Sequence, residues 1–179
     1  MSAENVHIQQ IRLRVAVIGG GIAGISTAAF LWKHQQFSMT VYERRDATFA
    51  EATAAIGIRT NGILIIKQLG MSRQEIQAVL GAGYKTYNLQ EVEMSRSEVG
   101  DGLDCDGALW FVFRQDLKDV LLARVMCKHN EGEPMIVVYG SHVVRVEPEE
   151  GFVDFANGSR IEADLIVGTY ESIRVEVDC

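Results

Sequence analysis

The stretch VAVIGGGIAG, residues 15–24, constrains the fold more than any other part of the chain. It completes IRLRVAVI, Ile11 to Ile18, which ends as a continuous apolar run of the kind a strand buried on both faces requires. Gly19, Gly21 and Gly24 then spell GxGxxG, and the helix-compatible ISTAAFLWKHQQ follows, closing with Lys33 and His34, which suit a helix C-terminus. SMTVYERR, Ser38 to Arg45, reads as a second strand, so the first part of the chain predicts a βαβ unit.

GxGxxG alone is a weak pattern, because glycines also serve small-residue packing. Here it follows a strand and opens a helix, which is the context that gives it meaning. The first glycine permits a tight turn, the second lets backbone approach a pyrophosphate, and the third lets helix and strand pack closely. The free N–H groups at the helix start then face the phosphates. Glu43 lies nineteen residues beyond Gly24 (43 − 24), at the end of the second strand. A carboxylate there accepts hydrogen bonds from the adenosine ribose hydroxyls and repels a 2′-phosphate, although Arg44 and Arg45 temper that repulsion. These residues point to an adenine dinucleotide and leave NAD and FAD both open.

Composition excludes several other classes. Of 179 residues 47% are apolar and 23% charged, with two prolines, which is a globular composition. The net charge is -7 with no Lys/Arg cluster, so a nucleic-acid partner is not expected. Cys105, Cys127 and Cys179 form no CxxC pair, and the four histidines show no ligand spacing. Free thiols in a reducing, cytoplasmic compartment are expected, with no metal. Val15 to Trp32 is uncharged and long enough to imitate a membrane span, but its glycines and the Ser26-Thr27 pair fit a buried strand, turn and helix better. No stable membrane insertion is expected.

Further along, residues 46–57 read as loop, NGILIIKQLG as a helix capped by Gly70, and SRQEIQAVL as a short helix opened by a Ser72/Glu75 capping box. YKTYNLQEVEM and GALWFVF read as strands. RQDLKDVLLARVMCKH, Arg114 to His129, is an amphipathic helix with Leu117, Val120, Leu121, Arg124 and Val125 at helical steps. PMIVVYG, HVVRVEPEE and FVDFANGSRIEADLIVG are strand-like, with a hairpin turn at Asn157-Gly158. DGLDCDG is a solvated acidic loop that fails the EF-hand register. The NGS triplet at Asn157 is explained by the hairpin rather than by glycosylation.

Three blocks in order carry a resemblance: VAVIGGGIAGISTAAFLWKHQQFSMTVYERR, AAIGIRTNGILIIKQLGM and FVFRQDLKDVLLARV. From Arg14 to Gly168 the chain resembles the single-component flavoprotein monooxygenases, the FAD-dependent aromatic hydroxylases exemplified by p-hydroxybenzoate and salicylate hydroxylases. The likeness is strongest to fungal members of secondary metabolism. It implies an α/β, Rossmann-like FAD-binding domain of three-layer ββα build over 14–168. Residues 1–13 would be an extension. It further implies bound FAD, NAD(P)H as co-substrate and hydroxylation of an aromatic or polycyclic small molecule. Gly19, Gly21 and Gly24 would meet the pyrophosphate, Glu43 the ribose, Gly57 would lie beside the FAD, and Arg114 would contact the cofactor. A guanidinium can fork onto phosphate or ribityl oxygens. A cation in a helix's first turn is otherwise unfavourable by ~0.3–1 kcal/mol, which leans Arg114 toward a functional role. No catalytic residue is assigned.

The resemblance stops at Gly168. Where the family runs on as alanine-aspartate-glycine, the chain has Thr169, Tyr170 and Glu171, and no functional residue is carried beyond Gly168. Residues 169–179 are expected to lie outside the family pattern, and the domain is expected to be C-terminally truncated, with catalysis incomplete in this chain. Two other readings stand beside a monooxygenase: a noncatalytic FAD-binding remnant and a small NAD-binding Rossmann protein. An uncovered sheet edge would offer a route to self-association.

Overall fold

A computed structural model describes residues 12–34, 36–49, 54–98, 108–126 and 135–169. The chain divides into two compact units, Met1–Phe49 with Ala123–Cys179, and Ala50–Leu122.

The first unit opens with strand β1 (Leu13–Ile18), helix α1 (Ile22–Trp32) and strand β2 (Phe37–Tyr42). The second unit holds β3 (Ala55–Arg59), α2 (Thr60–Gln68), β4 (Val79–Leu80), β5 (Gly83–Tyr87), β6 (Glu93–Glu98) and β7 (Leu109–Phe113). Helix α3 (Arg114–Met126) contains the division between the units. The chain then adds β8 (Ile136–Val138), β9 (Val143–Glu147), β10 (Phe152–Phe155), β11 (Arg160–Glu162) and β12 (Leu165–Gly168) to the first unit.

The first unit is built on a parallel sheet of order β12-β1-β2-β8. Val15, Ala16, Val17 and Ile18 of central β1 are all buried, which is why this strand reads as unbroken apolar sequence. Alternation sends them to two faces. Ala16 and Ile18 join a cluster with Val153 and Phe155, from an antiparallel sheet of order β11-β10-β9, and with Ala163 just after β11. Tyr42 packs at a tilt against Phe155 there, with ring centroids 5.1 Å apart and planes inclined by 40°. Val15 and Val17 pair in register with Met39 and Val41 and face the other way. Helix α1 lies against β1 and β2, burying Gly24, Ile25, Ala28 and Ala29. Helix, parallel sheet and antiparallel sheet are the three layers expected.

The second unit has an antiparallel sheet of order β3-β7-β4 and a β5-β6 hairpin. Its central β7 buries Trp110 and Val112 and exposes Phe111 and Phe113. In α3, Leu117, Leu121 and Val125 are buried at steps of four, as the amphipathic pattern requires.

Three readings of the sequence need correction. Strand β3 begins at Ala55, inside the expected loop, because AIGIR takes a complete ladder against β7. YKTYNLQEVEM is two strands and a turn, in which the Asn88 side-chain oxygen accepts the N–H groups of Gln90 and Val92 at 2.9 Å each. The capping box at Ser72 forms reciprocally, at 2.7 and 3.2 Å, yet no helix follows. Gln77 turns left-handed at φ 55, and the Arg73 guanidinium donates to the Ala78 carbonyl at 3.0 Å, closing the segment as a turn. By contrast α2 ends at Gly70 as expected, with φ 76 and the Met71 N–H reaching the Ile66 carbonyl at 3.1 Å. At Asn157-Gly158 the hairpin turn also forms, with Gly158 at φ 82. The acidic loop and all three cysteines lie outside the described residues.

Two carboxylates tie the strands at their ends. Asp164 accepts the Arg14 backbone N–H at 2.7 Å and faces its guanidinium, and these contacts hold the carboxyl below the usual carboxylate range. Asp154 is lowered in the same direction by Arg160, which forks onto it at 2.6 and 2.9 Å. A lowered folded-state pKa gives stability that is complete above the unfolded value and is lost as pH falls through the folded one. Stability should therefore decline as the pH drops below about 4. Asp164→Asn should flatten that acid limb in denaturant titrations run across the range, and an unchanged limb would remove Asp164 from the account.

Candidate functional site

The glycine turn sits at the C-terminal edge of the parallel sheet. The Gly19 N–H extends the ladder to the Tyr42 carbonyl at 2.9 Å, and the Thr169 N–H extends it on the other side to Ile18 at 3.0 Å. Gly19 has φ +110, a conformation that side chains rarely adopt. Gly21, extended at φ -77 and ψ 179, is the N-cap of α1, and its carbonyl takes the first helical bond from Ile25 at 3.0 Å. The N–H groups of the first helical turn therefore have no acceptor within the helix, and no acidic side chain occupies that turn. This end carries the positive pole of the helix and suits an anion.

Gly24 is required by packing. A Cβ there would stand 1.9 Å from the Gly19 carbonyl oxygen, so the third glycine lets the helix begin directly above the strand end. The close pack forces the turn, and the turn aims the first amides outward.

Glu43 directly follows β2, and its carboxylate is held by backbone. Its Oε2 accepts the Gly20 N–H at 2.7 Å, and its Oε1 accepts the Arg45 N–H at 2.8 Å. Its own N–H donates to Val138 at 2.9 Å, so β8 supports the residue from the other side. Each oxygen retains a lone pair for a further donor. Half-buried Tyr42, just before it, has its phenol pushed up by burial and stays neutral.

The structure thus brings Gly19, Gly21, Gly24 and Glu43 into one corner of the first unit. Two residues there were not singled out from the sequence. Gly20 has no room for a side chain, since a Cβ would lie 2.9 Å from the Glu43 Cβ and Oε2. Thr169 places its hydroxyl 2.9 Å from the Ile18 carbonyl and 3.2 Å from that of Gly19. The run of three consecutive glycines was a signal for the first. Thr169 gave none, because its partners are about 150 residues away along the chain.

Gly57 and Arg114 belong to the second unit. Gly57 lies on β3 opposite Phe111, and the Arg114 N–H donates to the Ala54 carbonyl at 3.0 Å, three residues before Gly57. At strand spacing that separation is about 10 Å. A Cβ on Gly57 would meet Phe111 and Leu109 at 3.4 and 3.5 Å, ordinary contact distances, so packing does not demand glycine there. Gly81 across the sheet is tighter, with the Phe111 ring 2.8 Å from a Cβ. The Phe111 ring therefore spans the two glycines.

Among the described residues no group of three or more His, Cys, Asp or Glu could hold a metal ion. Nor is any described helix long and apolar enough to cross a membrane.

A parallel sheet, a glycine turn opening a helix and an acidic residue after the second strand define an α/β dinucleotide-binding fold. The chain belongs to the FAD dependent oxidoreductase family, whose model matches residues 14–158. It is 33% identical to a 3-amino-4-hydroxybenzoate 2-monooxygenase of Streptomyces platensis, covering 90% of this chain and 40% of that protein. A salicylate hydroxylase of Pseudomonas putida is 26% identical, over 89% of this chain and 36% of its own length. Among solved structures, p-nitrophenol 4-monooxygenase of Pseudomonas putida superposes with a TM-score of 0.70 at 15% identity, covering 89% of this chain and 40% of that one. A 2-methyl-3-hydroxypyridine-5-carboxylic acid oxygenase variant gives 0.68 at 23%, over 87% of this chain and 38% of that one. By name these are two monooxygenases, a hydroxylase and an oxygenase, and the chain spans 36–40% of their length.

Packing demands glycine at position 24 and not at position 57. Gly24→Ala should destabilise the protein by about 1–3 kcal/mol or more, as overpacking against backbone does. Gly57→Ala should stay within about 0.5 kcal/mol of the parent. Denaturant midpoints of both variants check this, and equal losses would contradict it.

Proposed function

We propose that this chain binds FAD and forms the cofactor-binding part of a flavoprotein monooxygenase that hydroxylates an aromatic or polycyclic small molecule. The observation that carries the reading is the corner formed by the Gly19–Gly24 turn, the open first turn of α1 and the backbone-held Glu43 carboxylate. These residues fit an adenine dinucleotide. The amides after Gly21 would donate to the pyrophosphate oxygens, and Gly19 and Gly24 leave the backbone close enough for them to do so. Glu43 would accept from the ribose hydroxyls, and its charge favours an unphosphorylated ribose.

In the second unit, the lack of a packing reason for glycine at position 57 supports close ligand approach to β3. Arg114, exposed at the start of α3, has a guanidinium suited to phosphate or ribityl oxygens. We assign residues 14–168 as the FAD-binding domain, with 1–13 as an extension.

Bound FAD would supply two-electron redox chemistry and the means of activating O₂. The relatives' names support an aromatic substrate, and NAD(P)H is the reductant this reading expects.

Titration of flavin fluorescence with the purified chain tests the proposal. FAD should bind, and Glu43→Gln should weaken it about tenfold or more, since hydrogen bonds to a charged group are worth about 1.5–3 kcal/mol. Gly57→Ala should weaken FAD while leaving stability intact. FAD binding without NAD(P)H oxidation would favour a noncatalytic flavin-binding role. Binding of NAD but not FAD would replace the proposal with a small NAD-binding protein.

A further inference from the structure

The Gly19–Gly20 peptide is held at both ends. Its carbonyl oxygen lies 3.2 Å from the Thr169 hydroxyl, and its N–H donates to Glu43 Oε2 at 2.7 Å. A trans peptide is a rigid plane whose C=O and N–H point in opposite directions. Any rotation of this plane therefore moves the donor under Glu43 and the acceptor under Thr169 together. Gly19 gives the plane freedom to rotate, because glycine at φ +110 has no Cβ to resist it. Something else must hold it.

We infer that Thr169 is a positioning residue for dinucleotide binding: its hydroxyl fixes the Gly19–Gly20 peptide, and that peptide orients the Glu43 carboxylate. The inference rests on the dinucleotide reading of the corner and adds to it a residue outside the GxGxxG pattern. The Thr169 hydroxyl also lies 2.9 Å from the Ile18 carbonyl, which the Thr169 N–H engages at 3.0 Å, so its one proton is shared between the Ile18 and Gly19 oxygens and ties both to β12. Thr169 is also placed to do this sterically. Its oxygen occupies the space that side chains on Gly19 and Gly24 would need, 2.6 and 2.9 Å from their added Cβ atoms. The β1–β12 ladder, from Val15↔Leu165 to Ile18↔Gly168, brings Thr169 to this point.

The decisive variants are Thr169→Val, which keeps the volume and removes the hydroxyl, and Thr169→Ser, which keeps the hydroxyl. In the ligand-free protein, Thr169→Val should speed hydrogen exchange at the Gly20 amide about fivefold, and Thr169→Ser should leave it near the parent rate. The same loss of one hydrogen bond should weaken FAD about fivefold in Thr169→Val. In a Glu43→Gln background the Thr169→Val change should weaken FAD less than about twofold, because its effect runs through Glu43. Unchanged Gly20 exchange in Thr169→Val overturns the inference, as does full additivity with Glu43→Gln. If the parent chain binds no FAD while Gly20 exchange responds as stated, the cofactor reading fails and the peptide clamp stands.

Discussion

Gly24 has no room for a side chain because the Gly19 carbonyl occupies it, and the rest of the first unit follows from that closeness. A helix that starts within three residues of a buried strand must press its first turn against the strand's last peptide. Only small residues permit this, and Gly24, Ala28 and Ala29 form the buried seam of α1. With the helix seated, β1 is covered on one face. Ala16 and Ile18 are covered on the other by the β9–β11 sheet. The same closeness leaves the amides after Gly21 at the open edge of the sheet, where strands end and ligands of α/β folds bind.

Electrostatics at this corner follow from backbone rather than from clustered charge. The positive pole of α1 and the Glu43 carboxylate are opposite in sign, and they meet through the Gly20 N–H. An arrangement of donors at the helix and an acceptor at the strand end can take phosphate on one side and hydroxyl groups on the other. That pairing is the chemistry of a nucleotide, in which phosphate and ribose are neighbours. In the second unit Gly57 is not required by packing. Its neighbours leave ordinary contact distances, and the flat, partly exposed ring of Phe111 lies beside it.

The elements most legible in the sequence were those whose burial was most one-sided or complete. VAVI reads as a strand because four consecutive residues are buried, and α3 reads as a helix because Leu117, Leu121 and Val125 repeat at its period. Strands β5 and β6 blurred into one because nearly every residue in them is exposed, so no alternation marks the turn between them. Strand β3 was hidden by Ala55 and Gly57, residues that weaken a strand pattern unless the partner strand is known. Ser72 and Glu75 show that a cap can form without its helix when one following residue, Gln77, turns left-handed. At the candidate site, the glycines and Glu43 were legible because their spacing is local. Thr169 was not, because its role depends on a strand pairing between opposite ends of the chain.

The central claim is that the Gly19–Gly24 turn and Glu43 together receive the adenosine diphosphate portion of the cofactor. Titrating ¹⁵N-labelled protein with ADP and following the amide resonances tests it most directly. The account predicts the largest shifts at Gly20, Gly21, Ile22 and Ala23, with Glu43→Gln reducing the affinity and leaving the same amides responsive. Saturable shifts centred elsewhere, with these four amides unmoved, would contradict it.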